Sequence, residues 1–526
     1  MNVKDKKYLI TLFIISVISF FSNIWVREAD LMEQRNFITA REMVKHGNYL
    51  VTTLNGNLRF EKPPFPTWLT GVIMKLTNNF SDEWILRIPA ALTGVLLIFL
   101  IYFLVKALTK DCNKAFFSSF SAATMFMIIK TANENNWDIY TYVFAFGGIL
   151  LLVYALKQNR LKYFIESGIF FAISIMSKGP VGLYGLVLPF LIAYIATYGR
   201  EEFRKNWKNI LILIGVTGVL SAIWPLMMYL KYPDYFLSVM DKEEATWSSK
   251  HTQSFIFYFD YFIYTGIWIF FTLIALFKRG KEFKIKKYSK FLLIWNIAVL
   301  LLLSIISMKK KRYGIPIYMV SALNIGVLCN YYWNTMWEQL KKYEKILLYI
   351  QGGFITVVSA LLLLLFIYEA IFKKKIPIEY LLLTLATYSA LIYLTIFTFT
   401  RNKEGVGRYI TIASGVFMLI VNLNANWFID RNYVRKQYSG KYLNSKLLQK
   451  NPPILDIYSN NFDVDEVWDV GKEIKPLSDT THLPDSFILL GDVPEGLKNR
   501  YRINKNEIYS ENDGDTLKLY YLNRKE

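Results

Sequence analysis

Cysteine and histidine are nearly missing from the 526 residues, with two of the first and three of the second. Two cysteines, Cys112 and Cys329, exclude a disulfide-stapled secreted scaffold and any Cys-rich zinc or iron–sulfur module. Both sit in or beside apolar runs, as buried thiols do. Charge is sparse too: Asp, Glu, Lys and Arg make up 19% of the chain, below the quarter usual in soluble proteins. Acidic residues are scarcer than basic ones, 41 against 61, for a formal charge of +20. Such an excess could serve a nucleic acid. Here it falls between apolar segments, as in a membrane protein with basic cytoplasmic loops, so nucleic acid is not an expected partner. The chain has no low-complexity segment and no internal repeat like that of transporters with two matched halves. It also lacks a Gly-rich phosphate loop, so no nucleotide is expected at its site. Apolar residues (54%) and aromatic residues (17%) are what it has in abundance.

A bilayer span takes about 20 mostly apolar residues. Candidates lie near 8–26, 89–108, 115–131, 139–156, 163–177, 181–198, 210–230, 255–277, 291–307, 314–333, 346–368, 379–400 and 409–428. The expected fold class is therefore an all-α polytopic membrane protein of about 13 transmembrane helices, with a small C-terminal α/β extracytoplasmic domain. Lys4, Lys6 and Lys7 precede the first run, which lacks a small-residue cleavage site and reads as an uncleaved anchor. With the N-terminus in the cytoplasm, that terminus and the inner loops 109–114, 157–162, 199–209, 278–290, 334–345 and 401–408 together hold more than twice the Lys and Arg of the short outer loops. The exceptions are Lys178 and the turn Lys309, Lys310, Lys311 and Arg312. Positive charge kept on the outer face calls for a reason, and an anionic ligand is one.

An odd number of spans leaves the C-terminus outside. Residues 1–428 then form the membrane domain and 429–526 the outer α/β domain, with 27–88 as a long first outer loop. Within that loop, Leu31, Phe37, Ile38, Met43 and Val44 mark one stripe, predicting an amphipathic helix over 31–46 on the membrane surface. Gly47 stops it. The run YLVTTLNGNLRF reads as a hairpin about an Asn-Gly turn. EKPPFPTWL starts a second helix with Pro at its entry.

Glu28, Asp30, Glu33, Arg35, Arg41 and Glu42 crowd the start of the loop. Two readings stand. Glu33 and Arg35 face a cavity together, with Glu33 as a general base whose pKa desolvation raises; or the cluster is a solvated helix face with i,i+4 pairs. Asp138, in NENNWDIY between two spans, is likewise either a functional carboxylate at the mouth of a membrane helix or the N-cap of the apolar run that follows. Lys178, in SKGP, either faces a ligand or snorkels to the headgroups. Trp68, Trp137, Trp224 and Trp247 fall near the outer interface, where belt residues are the plain reading and stacking on sugar or prenyl the other.

The run E-x-R-N-F-x-x-A-R-E-M, then G-N-Y-L-V, then L-N-G-x-x-x-x-E-K-P-P resembles the first periplasmic loop of bacterial lipid-linked-sugar glycosyltransferases of the GT-C fold. The nearest relatives in kind are the aminoarabinose transferases that modify lipid A, with the protein O-mannosyltransferases further off. Where that family has Asp-Glu-x-Arg-Tyr, this chain has Met32-Glu33-Gln34-Arg35-Asn36. The family's usual catalytic aspartate position is thus Met32, and the local substitutes are Glu33, favoured for its spacing to Arg35, and Asp30.

The resemblance implies a transferase in the bacterial inner membrane that moves a sugar from a polyprenyl-phosphate carrier to a lipid A-like acceptor, with inversion at the anomeric carbon. Asp138 matches the family's second acidic residue. Lys62 of EKPP and Lys178 match lysines that face the sugar phosphate, and Arg35, Lys311, Arg312 and Tyr313 are expected to join them. In the relatives the EKP glutamate and a histidine hold a metal, which implies a divalent ion, Zn or Mg, on Glu61 with Glu244 or His251. The alternatives are a same-fold enzyme with a protein acceptor, a ligase polymerising surface polysaccharide and, from another class, a lipid or sugar flippase. His46 and His482 have no evident partner and read as surface residues.

Overall fold

The computed structural model describes residues 3–249, 251–277, 286–372, 376–429, 455–477, 483–510 and 516–525. In chain order its elements begin with α1 (Val3–Phe21), α2 (Leu31–His46), β1 (Thr53–Leu54), β2 (Asn57–Leu58), α3 (Phe65–Thr77) and α4 (Glu83–Thr109). They continue as α5 (Cys112–Ala123), α6 (Phe126–Ala132), α7 (Trp137–Gln158), α8 (Leu161–Lys178), a π-helical turn (Leu183–Val187), α9 (Leu188–Tyr198), α10 (Glu201–Lys205), α11 (Trp207–Lys231) and α12 (Pro233–Ser249). After two 3-10 stretches come α13 (Ile269–Phe277), α14 (Lys286–Ile305), α15 (Ile315–Asn334), α16 (Lys342–Ile371), α17 (Ile378–Arg401) and α18 (Val406–Ile429). The tail adds β3 (Ile457–Ser459), α19 (Val464–Val470), β4 (Ile474–Pro476), β5 (Ser486–Leu490), α20 (Glu495–Arg500), β6 (Tyr501–Ser510) and β7 (Thr516–Arg524).

All 13 expected spans fall on helices. Among the described residues nine are long and apolar enough to cross a membrane. A tenth is α5 with α6, bent by 65°. The remaining three expectations correspond to α1, to the 18-residue α8 and to the shorter apolar helix Leu183–Tyr198. The basic loop expected at 278–290 lies outside the described residues up to 285.

The chain divides into two compact units. The first comprises Met1–Asn23, Ala90–Asn133 and Trp137–Trp427; the second comprises Ile24–Pro89, Glu134–Asn136 and Phe428–Glu526. The expected loop 27–88 and the expected tail domain thus fall in the same unit. The boundary within α4 sits at Pro89, which cannot donate to the helix ladder.

In the first unit, small residues let helices approach closely, as packing without a solvent-driven hydrophobic gain requires. Gly147 and Gly148 of α7 accept Phe170 and Phe171 of α8 against the backbone, and Ser167 Oγ donates to the Gly148 carbonyl at 2.8 Å. Gly326 of α15 lies on Ser118 of α5: a Cβ there would stand 2.2 Å from its Oγ and 2.3 Å from its amide nitrogen. Ser121 Oγ of the same helix donates to the Ala322 carbonyl at 2.9 Å. Cys329 is buried and Cys112 half-buried, both as free thiols. Trp137 and Trp224 are buried rather than belted, and the Trp247 side chain lies outside the described residues.

In the second unit, α2 spans the expected residues. Asp30 caps it: Oδ1 accepts from the amides of Met32 and Glu33 at 2.9 Å, and Glu33 reaches back to the Asp30 amide at 3.4 Å. This capping box satisfies amides the helix cannot. Gly47, at φ 68°, ends it. The hairpin turns on Asn55 and Gly56, at φ 54° and 73°, the two positive angles a type I′ turn needs.

The expected surface position for α2 is corrected. Phe37, Ile38 and Ala40 are fully buried in a core that includes Trp468 of α19, Ile457 of β3 and Ile488, Leu490 and Leu519 of the tail sheet. That sheet has the order β4-β3-β5-β7-β6, with β3 parallel to β4 and β5 and with β7 antiparallel to β5 and β6. Side chains alternate across a strand. Ile488 and Leu490 therefore meet α2's core, while Phe487 and Leu489 join Leu497 and Tyr501 on the opposite face. Both faces are covered, which explains why the four residues from Phe487 to Leu490 are all apolar.

Arg41 ties α2 to the tail. Its guanidinium donates to the Val467 carbonyl at 2.8 Å and stacks 5.4 Å from the Trp468 ring. Burial pulls its pKa down to about 10. Asn55 pairs in both directions with the Ile474 backbone, at 2.8 Å each. His46 has a partner after all: its Nε2 is 3.3 Å from Glu473. His482 lies outside the described residues.

Gly326→Ala is expected to force α15 off α5 and cost about 1–3 kcal/mol, the usual range for overpacking. Thermal unfolding in detergent should show a lowered midpoint. Gly353→Ala, where a Cβ meets nothing within 4 Å, should leave the midpoint unchanged.

Candidate functional site

Two charged clusters stand out, one in each unit. In the first unit Asp138 lies in the opening turn of α7, which starts at Trp137, so it is a helical residue and not the N-cap. Its side chain is 3% exposed. Lys178 Nζ pairs with its Oδ1, and Arg312 Nε stands 3.6 Å from its Oδ2. Lys178 is the last residue of α8, which Gly179 ends at φ 77°. Arg312 and Tyr313 belong to the 3-10 turn Lys311–Gly314 that leads into α15. The Lys178 ammonium lies 4.0 Å over the Tyr313 ring, where the ring's negative face stabilises it. Three chain segments thus bring two cations, a carboxylate and a phenol together. Glu243 of α12 lies within electrostatic reach of Tyr313.

Lys311, expected beside Arg312, is turned to Asp260, with Nζ 2.7 Å from both carboxylate oxygens and 2.9 Å from the Phe257 carbonyl. Lys309 donates to the Gln253 carbonyl at 2.9 Å. Half of this basic turn therefore holds its neighbours in place, which explains part of its unusual charge.

In the second unit Glu33 does not share a cavity with Arg35. It is fully buried, and Arg87 grips it with Nε and Nη2, each at 2.8 Å. Arg87 Nη1 donates to the carbonyls of Ile24 at 2.8 Å and Arg27 at 2.6 Å. Glu83 stands 3.6 Å from the same guanidinium. The Asn135 amide donates to Glu33 Oε1 at 2.8 Å. Asn135 Nδ2 reaches Leu86 O at 2.6 Å and Thr70 Oγ1 at 2.8 Å, and Thr67 Oγ1 donates to Asn36 Oδ1 at 2.8 Å. This network locks α2, α3, the start of α4 and the turn 134–136 within one unit. Glu33 and Asp30, expected as the reactive carboxylates, are occupied by Arg87 and by the helix start. The Glu33 carboxylate is filled by four donors, Arg87 Nε and Nη2 and the amides of Asn135 and Asp30, which uses the four lone-pair sites it has, so its geometry here is that of a framework residue.

Arg35 and Lys62 are half-buried in the second unit. Glu61 Oε2 is 4.0 Å from Arg59 Nε. Glu244 and His251 are exposed, His251 at φ 53°. Among the described residues no group of three or more His, Cys, Asp or Glu side chains could hold a metal ion.

The sequence reading missed Arg87 and Asn135. The signal for Arg87 was present: a lone arginine in ILRIPAAL, where an apolar run begins, calls for a buried counter-charge. Asn135 carries no comparable mark, because its part depends on contacts distant in sequence.

Residues 61–229 match the family described as dolichyl-phosphate-mannose-protein mannosyltransferase. An undecaprenyl phosphate-alpha-4-amino-4-deoxy-L-arabinose arabinosyl transferase of Pseudomonas savastanoi pv. phaseolicola is 24% identical over 77% of this chain and 74% of its own length. A second protein of that name, from Proteus mirabilis, is 24% identical over 54% of this chain and 52% of its own. The crystal structure of ArnT from Cupriavidus metallidurans bound to undecaprenyl phosphate superposes with a TM-score of 0.71 at 16% identity, covering 98% of both chains. The protein carries the GT-C fold. It resembles the lipid-linked-sugar glycosyltransferases and is a multi-pass membrane protein with a sheet-bearing tail.

Glu33→Gln removes the charged bidentate partner of buried Arg87 and leaves it Glu83 at 3.6 Å. The expected loss is about 3–5 kcal/mol, read as a lowered unfolding midpoint of the purified protein in detergent. An unchanged midpoint would refute the framework role.

Proposed function

We propose that the protein is a glycosyltransferase that moves a sugar from a polyprenyl-phosphate carrier to a lipid A-like acceptor on the outer face of the bacterial inner membrane. The observation that carries the reading is the convergence of Lys178 and Arg312 on buried Asp138, beside Tyr313, in a GT-C framework. Cations fixed at the ends of apolar helices suit a phosphate whose lipid tail lies among those helices. The relatives named for such a transfer support the same donor class. The surplus of Lys and Arg in the short loops supports a cytoplasmic N-terminus and an extracytoplasmic C-terminus.

In the proposed reaction an acceptor oxygen attacks the anomeric carbon. The bond from that carbon to the carrier's phosphate oxygen breaks, and the bonding pair leaves with the phosphate. Lys178 and Arg312 stabilise the charge that develops there, the kind of preorganised contact that contributes most to catalysis. Asp138 holds the two cations in register. For an acceptor that arrives ionised no proton need move; for a hydroxyl acceptor, Asp138 takes it. The match to the mannosyltransferase family over 61–229 favours one second reading, a protein hydroxyl as acceptor.

The test is transfer of labelled sugar from a polyprenyl-phosphate donor in membranes. Lys178→Ala is expected to lower kcat by roughly 100-fold or more, as removal of a single transition-state donor does, while the unfolding midpoint shows the variant folded. Unchanged transfer removes the assignment. Sugar crossing sealed vesicles with no covalent product would favour a flippase. Mass spectrometry of surface lipids and glycoproteins, with and without the protein, separates the two acceptors.

A further inference from the structure

Tyr142 follows Asp138 by one helical turn on α7, so the two share a face. It is fully buried, and among the described residues its hydroxyl has no hydrogen-bond partner. Its ring lies beside Gly185: a Cβ built there would stand 3.6 Å from Tyr142 and 3.8 Å from Pro316, just beyond the Arg312–Tyr313 turn. The groups in electrostatic reach of its hydroxyl are Asp138, Tyr258 and Tyr313. Each has other engagements. Asp138 meets Lys178 and Arg312, Tyr258 donates to the Lys310 carbonyl at 3.0 Å, and Tyr313 lies under the Lys178 ammonium. Phenylalanine would fill the same volume without a hydroxyl to desolvate. A phenol kept here without a protein partner carries a stability cost.

We propose that the Tyr142 hydroxyl is a ligand-binding donor of this site, and that it donates to a phosphate oxygen of the polyprenyl-phosphate sugar beside Lys178 and Arg312. The proposal deepens the transferase reading and rests on it. Lysine and arginine supply charge; a neutral phenol on a rigid helix supplies direction. As the anomeric bond breaks, the phosphate oxygens gain charge, and a hydrogen bond to an ionised acceptor strengthens.

The experiment compares Tyr142→Phe with the full-length parent, using a polyprenyl-phosphate sugar as donor and polyprenyl monophosphate as inhibitor. The expected result is an approximately tenfold fall in kcat/KM, an approximately tenfold weaker inhibition by the monophosphate, and an unfolding midpoint equal to or above the parent's. Tyr288→Phe is the control. Tyr288 is also fully buried with no hydroxyl partner among the described residues, but its electrostatic neighbour is Tyr198. It should leave kcat/KM and inhibition unchanged. A Tyr142→Phe protein with parental kcat/KM, with weaker transfer but unaltered inhibition, or with a lowered midpoint overturns the proposal. A parent that transfers nothing removes the transferase reading and this proposal together; a working parent with an unaffected variant removes this proposal alone.

Discussion

A charge taken out of water must find its opposite, and both units are organised by that requirement. In the second unit Arg87 meets it by gripping Glu33 and two backbone carbonyls. In the first, Asp138 meets it with Lys178 and Arg312. Such pairs add little net stability, because desolvation offsets most of the attraction, but removing one partner is expensive. They act as constraints on geometry. Arg87 can reach Glu33 only if α2 begins where Asp30 caps it, and Asp138 can meet both cations only if α8 ends at Lys178.

The two constraints serve different ends. Around Glu33 every oxygen and amide named has a protein partner, and the result is a rigid frame. Around Asp138 the groups are the kinds that bind anions, and they come from helix ends and a turn rather than from helix interiors. Close helix contacts hold those ends in place. Ser174 Oγ donates to the Thr141 carbonyl at 2.7 Å, one turn from each of Lys178 and Asp138. Gly182 sits where a Cβ would stand 2.4 Å from the same serine oxygen. Small residues beneath the cluster thus set the separation of α7 and α8.

Much of this could be read from the chain because it is local. Hydropathy placed the apolar helices, nine of them long enough to span among the described residues, the apolar stripe and Gly47 bounded α2, and Asn55-Gly56 fixed the hairpin. Lys178 and Asp138 were legible as charges misplaced among apolar runs. The part of Glu33 was not legible, since nothing in READLMEQRNF says that Arg87 will claim it. The burial of α2 escaped for the same reason: its cover comes from Trp468 and Ile488, more than 400 residues later. Lys311 and Arg312 are adjacent and alike in type, yet one turns to Asp260 and the other to Asp138. Only the path of the backbone decides that.

The shared core of α2 and the tail sheet has a consequence for biosynthesis. Residues 31–46 leave the ribosome more than 400 residues before Ile488, Leu490 and Leu519, which share a core with Phe37 and Ile38. Closing a loop of that length adds little entropy cost beyond a shorter one, but it sets an order of events. The apolar face of α2 has to wait, uncovered by its final partner, while the whole run of membrane helices is inserted. A chain that stops short of β3 would lack every tail residue of that core, Ile457 and Trp468 included, and would leave the apolar face of α2 without its cover.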